Sequence, residues 1–121
     1  TGTVAELLVG IVRDPAHGFV LTLGAGGTLA ELWGDTVSLL VPASEAQVGE
    51  ALDRLRIAPV IAGYRGRAGA SKPAIVGAVM ALQDAVTAHA DRIAEIEINP
   101  LICTPARAVA ADALVMMGET R

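Results

Sequence analysis

Aromatic side chains are almost missing from this chain: one Phe, one Trp and one Tyr make up 2% of it. That excludes the stacked-base platforms that hold single-stranded nucleic acid. Lysine is scarcer still, with Lys72 the only one, and the formal net charge is −4. The arginines are scattered rather than gathered into a basic stripe, so a nucleic-acid partner is not expected. A single cysteine, Cys103, cannot close an internal disulfide. It reads as a small apolar filler, and its isolation points to a reducing, cytoplasmic setting. His17 and His89 have no Cys or His at ligand spacing, which excludes a zinc site. No nucleophile-elbow motif supports Ser/His/Asp catalysis. No run approaches the roughly 18 apolar residues of a membrane span, and no basic-then-apolar leader is present, so neither membrane nor targeting segment is expected.

What is present is material for a core. Of 121 residues, 53% are hydrophobic, and mean hydropathy is +0.54. One domain is expected at this length. The opening Thr1-Gly2-Thr3, without an initiator Met and just ahead of a strand, reads as a cut inside a longer protein.

Residues 4–13 are rich in branched side chains and predict a strand. Asp14-Pro15-Ala16-His17-Gly18 is a turn signal, and residues 19–23 return as the second arm of a hairpin. The glycines of Gly24-Ala25-Gly26-Gly27 interrupt the pattern, residues 28–33 resume it, and Gly34-Asp35 turns into a short strand over 37–41. Ser44 followed by Gln47 is a capping-box pattern, predicting a helix over 45–56. Residues 57–70 look irregular. Ser71 and Pro73 suit a helix start, and Ile75, Val79, Leu82 and Val86 form the apolar stripe of a helix over 73–89. Hairpins and two helices on one face predict an α+β fold: an antiparallel sheet with helices on one side.

The last hairpin carries the chemistry. Along residues 93–99, Ile96 and Ile98 point one way and Glu95, Glu97 and Asn99 the other. After the turn signal Thr104-Pro105-Ala106-Arg107, residues 108–117 predict a strand whose only polar member is Asp112. A turn centred on Pro105 and Ala106 sets Asn99 opposite Asp112, with Cβ atoms about 4.5–5.5 Å apart. Two or three oxygen donors on one sheet face suit a hard cation such as Mg²⁺, which takes one or two carboxylates plus substrate phosphates. An edge hairpin with a solvated acidic face would give the same alternation. Asp112 favours the metal, because burying a carboxylate in an apolar strand is costly unless it is paired or bound.

Other candidates stand alone. Glu6 is a polar residue in an apolar strand start, suited to a ligand hydroxyl or to solvent. Gly24-Ala25-Gly26-Gly27 has the density of a phosphate loop. It lies between strands rather than before a helix, so it does not match a dinucleotide or Walker motif; backbone approach to a phosphate stays open. Arg65, between Gly63 and Gly66, suits bidentate recognition of phosphate or carboxylate.

The order of these pieces forms a pattern. Glu6 to Pro15, Gly18, Gly24 to Gly27 with Glu31 and Asp35, Pro42, Gly63-Tyr64-Arg65-Gly66, Glu95 to Leu101, and Asp112-Ala113 together resemble the second subdomain of the ATP-grasp domain of NDP-forming acyl-CoA synthetases. ADP-forming acetyl-CoA synthetases belong to this group, and succinyl-CoA synthetase β-subunits look like more distant relatives. The resemblance covers nearly the whole chain, so residues 1–121 would be one ATP-grasp C-terminal subdomain. It implies that Glu97, Asn99 and Asp112 hold Mg²⁺ against the phosphates of ATP or ADP, and that Glu6 binds the ribose. It also implies that Gly26, Gly27 and a catalytic Arg65 lie near the phosphates. Similar enzymes join an acid to CoA at the expense of ATP, reversibly, through a phosphohistidine on another domain. The implied partners are the first ATP-grasp subdomain and the CoA-binding and phosphohistidine domains. The carrier His would lie elsewhere, and this chain alone is expected to be inactive.

There are departures from the family pattern. His17 stands where an aromatic is common. Ala70-Ser71-Lys72 stands where an Asp commonly follows the Tyr-Arg-Gly motif. The alternative reading is a non-catalytic ATP-grasp-like module, regulatory or interacting, of a larger protein such as an acetyltransferase fusion.

Overall fold

A computed structural model describes residues 2–26 and 34–118. Gly27 and the strand expected over 28–33 lie outside the described residues. The sheet contains β1 (Ala5–Asp14), β2 (Gly18–Ala25), β3 (Thr36–Leu40), β4 (Ile93–Cys103), β5 (Ala108–Ala110) and β6 (Ala113–Met117). All pairings are antiparallel, in the order β3-β2-β1-β4, with β5 and β6 sharing the outer edge of β4. Three helices lie between β3 and β4 in the chain: α1 (Glu45–Arg54), α2 (Ala58–Ala62) and α3 (Lys72–Ala88). The expected α+β class, with an antiparallel sheet and helices on one face, is the class observed.

Local chemistry sets the elements. Asp14 Oδ1 accepts from the Ala16 and His17 N–H groups at 2.7 and 3.1 Å, and Gly18 takes φ +78°, closing the β1–β2 hairpin. Both arms of the Ser44/Gln47 capping box form. The stretch read as irregular holds the short α2, which periodicity over five residues could not reveal. Its approach is fixed by the buried carboxylate of Asp35, which accepts from the Arg56 and Ile57 N–H groups at 2.7 and 3.1 Å.

The core lies between one sheet face and the helices. Leu7, Val9 and Ile11 of β1 pack with Ile98 and Leu101 of β4, and against Val48, Ile75 and Val79 of α1 and α3. Full burial of each such side chain contributes about 1.5–3 kcal/mol. Gln83 is the polar exception on α3. It is buried and grips the peptide of Ala43 from both sides, accepting from the N–H at 2.8 Å and donating to the carbonyl at 3.0 Å. Arg13 closes the far end by donating to the Ala90 and Ile93 carbonyls while its guanidinium lies over the Phe19 ring. The other sheet face carries no helix among the described residues.

Candidate functional site

The uncovered face is shaped by β4. Its register with β6 pairs Glu97 with Leu114 and Ile98 with Ala113, and with β5 pairs Cys103 with Ala108. Between these, the Asn99 N–H donates to the Asp112 carbonyl at 3.2 Å, so Asn99 stands opposite Asp112. This is the register of a turn centred on Pro105 and Ala106. Thr104 holds that turn: its Oγ1 accepts from the Arg107 N–H at 2.9 Å, and its own N–H donates to the Arg107 carbonyl at 2.8 Å. Ile98 faces the core, so alternation turns Glu97 and Asn99 to the uncovered face. On its β1 edge, Glu97 pairs with Gly10, where an added Cβ would come to 4.0 Å from the Glu97 Cγ.

One expectation is corrected. The strand over 108–117 is broken at Ala111 and Asp112; β6 is exposed along its whole length, and so is Asp112 ahead of it. The break has a local cause. Pro100 stands where Ala111 needs a partner and has no N–H to give; only its carbonyl is used, accepting from Ala111 N–H at 3.1 Å. On the other edge, Asn99 and Pro100 together oppose Leu8, a β-bulge of the sort that re-aims side chains. Asp112 is therefore not a buried carboxylate, and the cost of burial says nothing about its role. Its claim rests on position: an exposed carboxylate across from a half-buried Asn99, with half-buried Glu97 next along the same face. None of the described ion pairs uses Glu97 or Asp112.

Among the described residues, no three His, Cys, Asp or Glu side chains converge into a closed metal cage. Two carboxylates and one amide on an open face instead fit a hard cation that completes its shell with phosphate and water.

Glu6 and Gly26 are adjacent at the start of β1. The Gly26 N–H donates to the Glu6 carbonyl at 2.8 Å, and a Cβ on Gly26 would meet the Glu6 and Leu7 backbone at 3.0–3.1 Å. That glycine serves close approach between two backbone segments, and its N–H is committed to the Glu6 carbonyl. The Glu6 side chain is exposed on the uncovered face.

Arg65 does not join this group. It lines a cavity to which Glu6, Gly26, Glu97, Asn99 and Asp112 contribute nothing. Beyond that loop, Ser71 caps α3, its side chain accepting from the Ala74 N–H at 3.2 Å. Ser is as good a cap as Asp, so the helix start needs no Asp here. His17 pairs with Asp14 in the hairpin turn, and His89 ends α3. Cys103 is fully buried, and burial pushes its thiol pKa up to about 11, far from a reactive thiolate. Reading the sequence missed Gln83, whose signal is a single amide among the apolar positions of a helix. Arg67, two residues from Arg65, lines the same cavity.

Residues 2–117 match the family model of the ATP-grasp domain. The β-subunit of an ADP-forming acetate–CoA ligase II from Pyrococcus furiosus is 28% identical over 96 residues, spanning 79% of this chain and 41% of the relative. A trans-feruloyl-CoA synthase of an unknown prokaryotic organism is 37% identical over 115 residues, spanning 93% of this chain and 16% of the relative. Among solved structures, acetyl-coenzyme A synthetase 1 of Ca. Korarchaeum cryptofilum, in complex with coenzyme A and Mg-AMPPCP, superposes with a TM-score of 0.87 at 27% identity. The match covers 94% of this chain and 53% of that one. The chain thus spans less than half the length of either curated relative.

Proposed function

The chain belongs to the ATP-grasp family, and on that premise we propose that it is the second subdomain of the nucleotide- and metal-binding domain of a larger, cytoplasmic ADP-forming acyl-CoA synthetase. The parent enzyme converts acid, CoA and ATP into acyl-CoA, ADP and phosphate, reversibly, by way of a phosphohistidine on another domain. The relatives include a subunit of an ADP-forming acetate–CoA ligase and a trans-feruloyl-CoA synthase, and both extend well beyond the match. No helix among the described residues is long and apolar enough to cross a membrane.

The observation that carries the reading is the β4–β6 register, which opposes Asn99 and Asp112 on the face the helices leave bare. Asp112 and Glu97 supply charge to a Mg²⁺ ion there and Asn99 a neutral oxygen. When bound, the ion neutralises the nucleotide phosphates during phosphoryl transfer. Glu6, farther along that face, accepts a ribose hydroxyl. The core behind β4 keeps these side chains in register while the phosphate end changes charge. The apolar edge supports a covering partner: Leu114 is 54% and Met117 60% exposed on a strand with no neighbour beyond it among the described residues. The first ATP-grasp subdomain is the segment we assign to it, with CoA-binding and phosphohistidine domains completing the enzyme.

The test is turnover against Mg²⁺ concentration in the full-length enzyme. Asp112→Asn and Asn99→Ala are expected to lose activity on the order of 100-fold with little change in melting temperature, while Glu95→Gln costs less. Near-normal turnover of Asp112→Asn at low Mg²⁺ would overturn the metal assignment. A parent protein with no ligase turnover would favour a non-catalytic module.

A further inference from the structure

Among the described residues, Asp35 is the one charged side chain that is buried, at 8% exposure. No cation pairs with it there. A buried carboxylate persists only where hydrogen bonds replace the water it has lost, so its partners show what it holds. Its two oxygens accept from consecutive N–H groups at the α1–α2 junction, Oδ1 from Arg56 at 2.7 Å and Oδ2 from Ile57 at 3.1 Å. One bond would let the carboxylate swivel, whereas two fixed donors set both the place and the direction of residue 35.

The backbone of the same residue holds the end of β2. The Ala25 N–H donates to the Asp35 carbonyl at 3.0 Å. The approach is so close that a Cβ on Gly24 would lie 2.8 Å from that carbonyl oxygen. One residue on, the Gly26 N–H donates to the Glu6 carbonyl at 2.8 Å. The β1–β2 pairing ends at Leu7 and Ala25, so the Gly26 bond is what ties Glu6 to β2. On its other side Glu6 pairs with Ile102 of β4. A continuous path of hydrogen bonds and peptide links therefore runs from the α1–α2 junction through Asp35, Ala25 and Gly26 to Glu6.

We propose that Asp35 is a positioning residue for the nucleotide: along this path it fixes the start of β1, and with it the place of the Glu6 carboxylate. The inference rests on the reading of Glu6 as a ribose contact. The Asp35 carboxylate itself is engaged on the helix side and touches neither nucleotide nor metal. Hydrogen bonds weaken steeply as distance and angle leave their optimum. A loosened start of β1 thus weakens the grip of Glu6 on a hydroxyl while the core, built from other residues, stays folded.

The test is a double-mutant cycle in the full-length enzyme, with Asp35→Asn, Glu6→Ala and the two combined, reading kcat and the KM values for ATP and for CoA. Asp35→Asn keeps the shape of the side chain and removes its charge and one of its two acceptors. It is expected to raise the ATP KM about fivefold, with kcat within about twofold of the parent and the CoA KM unchanged. Glu6→Ala should raise the ATP KM as well, and the double variant should be no worse than Glu6→Ala alone, because both changes act through one contact. A clamp that only held the fold together would lower kcat through loss of active enzyme and leave both KM values unmoved; that result overturns the proposal. So does a double variant whose ATP KM rises by the product of the two single effects. Both of these results leave the ribose reading of Glu6 standing. An ATP KM unchanged by Glu6→Ala removes that reading and the proposal with it. Should Asp35→Asn fail to fold, Asp35→Ser, which keeps one acceptor oxygen, replaces it in the same cycle.

Discussion

Gln83→Leu isolates the value of the polar tie between α3 and the start of α1. The two side chains are close in volume, so no large cavity opens. What is lost is a pair of hydrogen bonds, at 2.8 and 3.0 Å, to the buried Ala43 peptide. Each peptide group left without a partner costs about 1–3 kcal/mol, so the gross loss is about 2–6 kcal/mol. The leucine returns part of this through added apolar burial, about 1.5–3 kcal/mol at most. At mid-range values, about 4 kcal/mol lost against about 2 returned, the net expectation is destabilisation of about 2 kcal/mol. For a domain of this size, each kcal/mol lowers Tm by roughly 3–6 °C. Urea titration followed by circular dichroism reads the change, with unchanged m-values confirming that the unfolded state is not what moved. Gln47→Ala, which removes one arm of an exposed capping box, is the control and should cost no more than about 1 kcal/mol. If Gln83→Leu unfolds within 0.5 kcal/mol of the parent, roughly the neutral range of surface changes, the Ala43 peptide is not desolvated as its burial indicates. Because α1 and α3 back the strands whose other face holds Glu97 and Asn99, the variant should lose stability without losing the intrinsic chemistry of that face.

Two further expectations follow from titratable groups, beside those for the metal face. The Asp14 carboxyl is held below its ordinary pKa of 3.8, chiefly by the Ala16 backbone N–H and further by the His17 side chain and backbone. A lowered folded-state pKa gives stability that is present above the unfolded value and lost as pH falls through the folded one. The Tm difference between the parent and Asp14→Ala should therefore be full above about pH 4 and shrink below it, and a difference that stays constant into stronger acid would refute this. Cys103, with its thiol pKa pushed up to about 11 by burial, should resist alkylation by iodoacetamide at pH 8 in the folded chain and react readily in urea; fast labelling of the native protein would show that the thiol is reachable.

Local pattern alone determined much of this protein. Alternation along residues 93–99, the Ser44/Gln47 box, the Ser71 cap and the stripe from Ile75 to Val86 each record a period or a cap that the backbone must satisfy whatever surrounds it. The position of Pro105 determined the register that opposes Asn99 and Asp112, because a turn's centre sets every cross-strand pair beyond it. The order of the motifs was enough to indicate the family. Burial and convergence needed the tertiary structure. Whether Asp112 is buried depends on what covers β6, and an apolar strand reads the same in a core and on a bare edge. The bulge at Asn99-Pro100 depends on two different neighbours of one strand, and the bond between Gln83 and Ala43 joins segments far apart in the chain. That the Gly26 N–H is taken by the Glu6 carbonyl shows only in the folded chain. Arg65 and Arg67 line one cavity only because Val4, ahead of β1, and Pro105 of the β4–β5 turn meet them there. Periodicity reports which way a side chain points, and only the packed chain decides what it meets there.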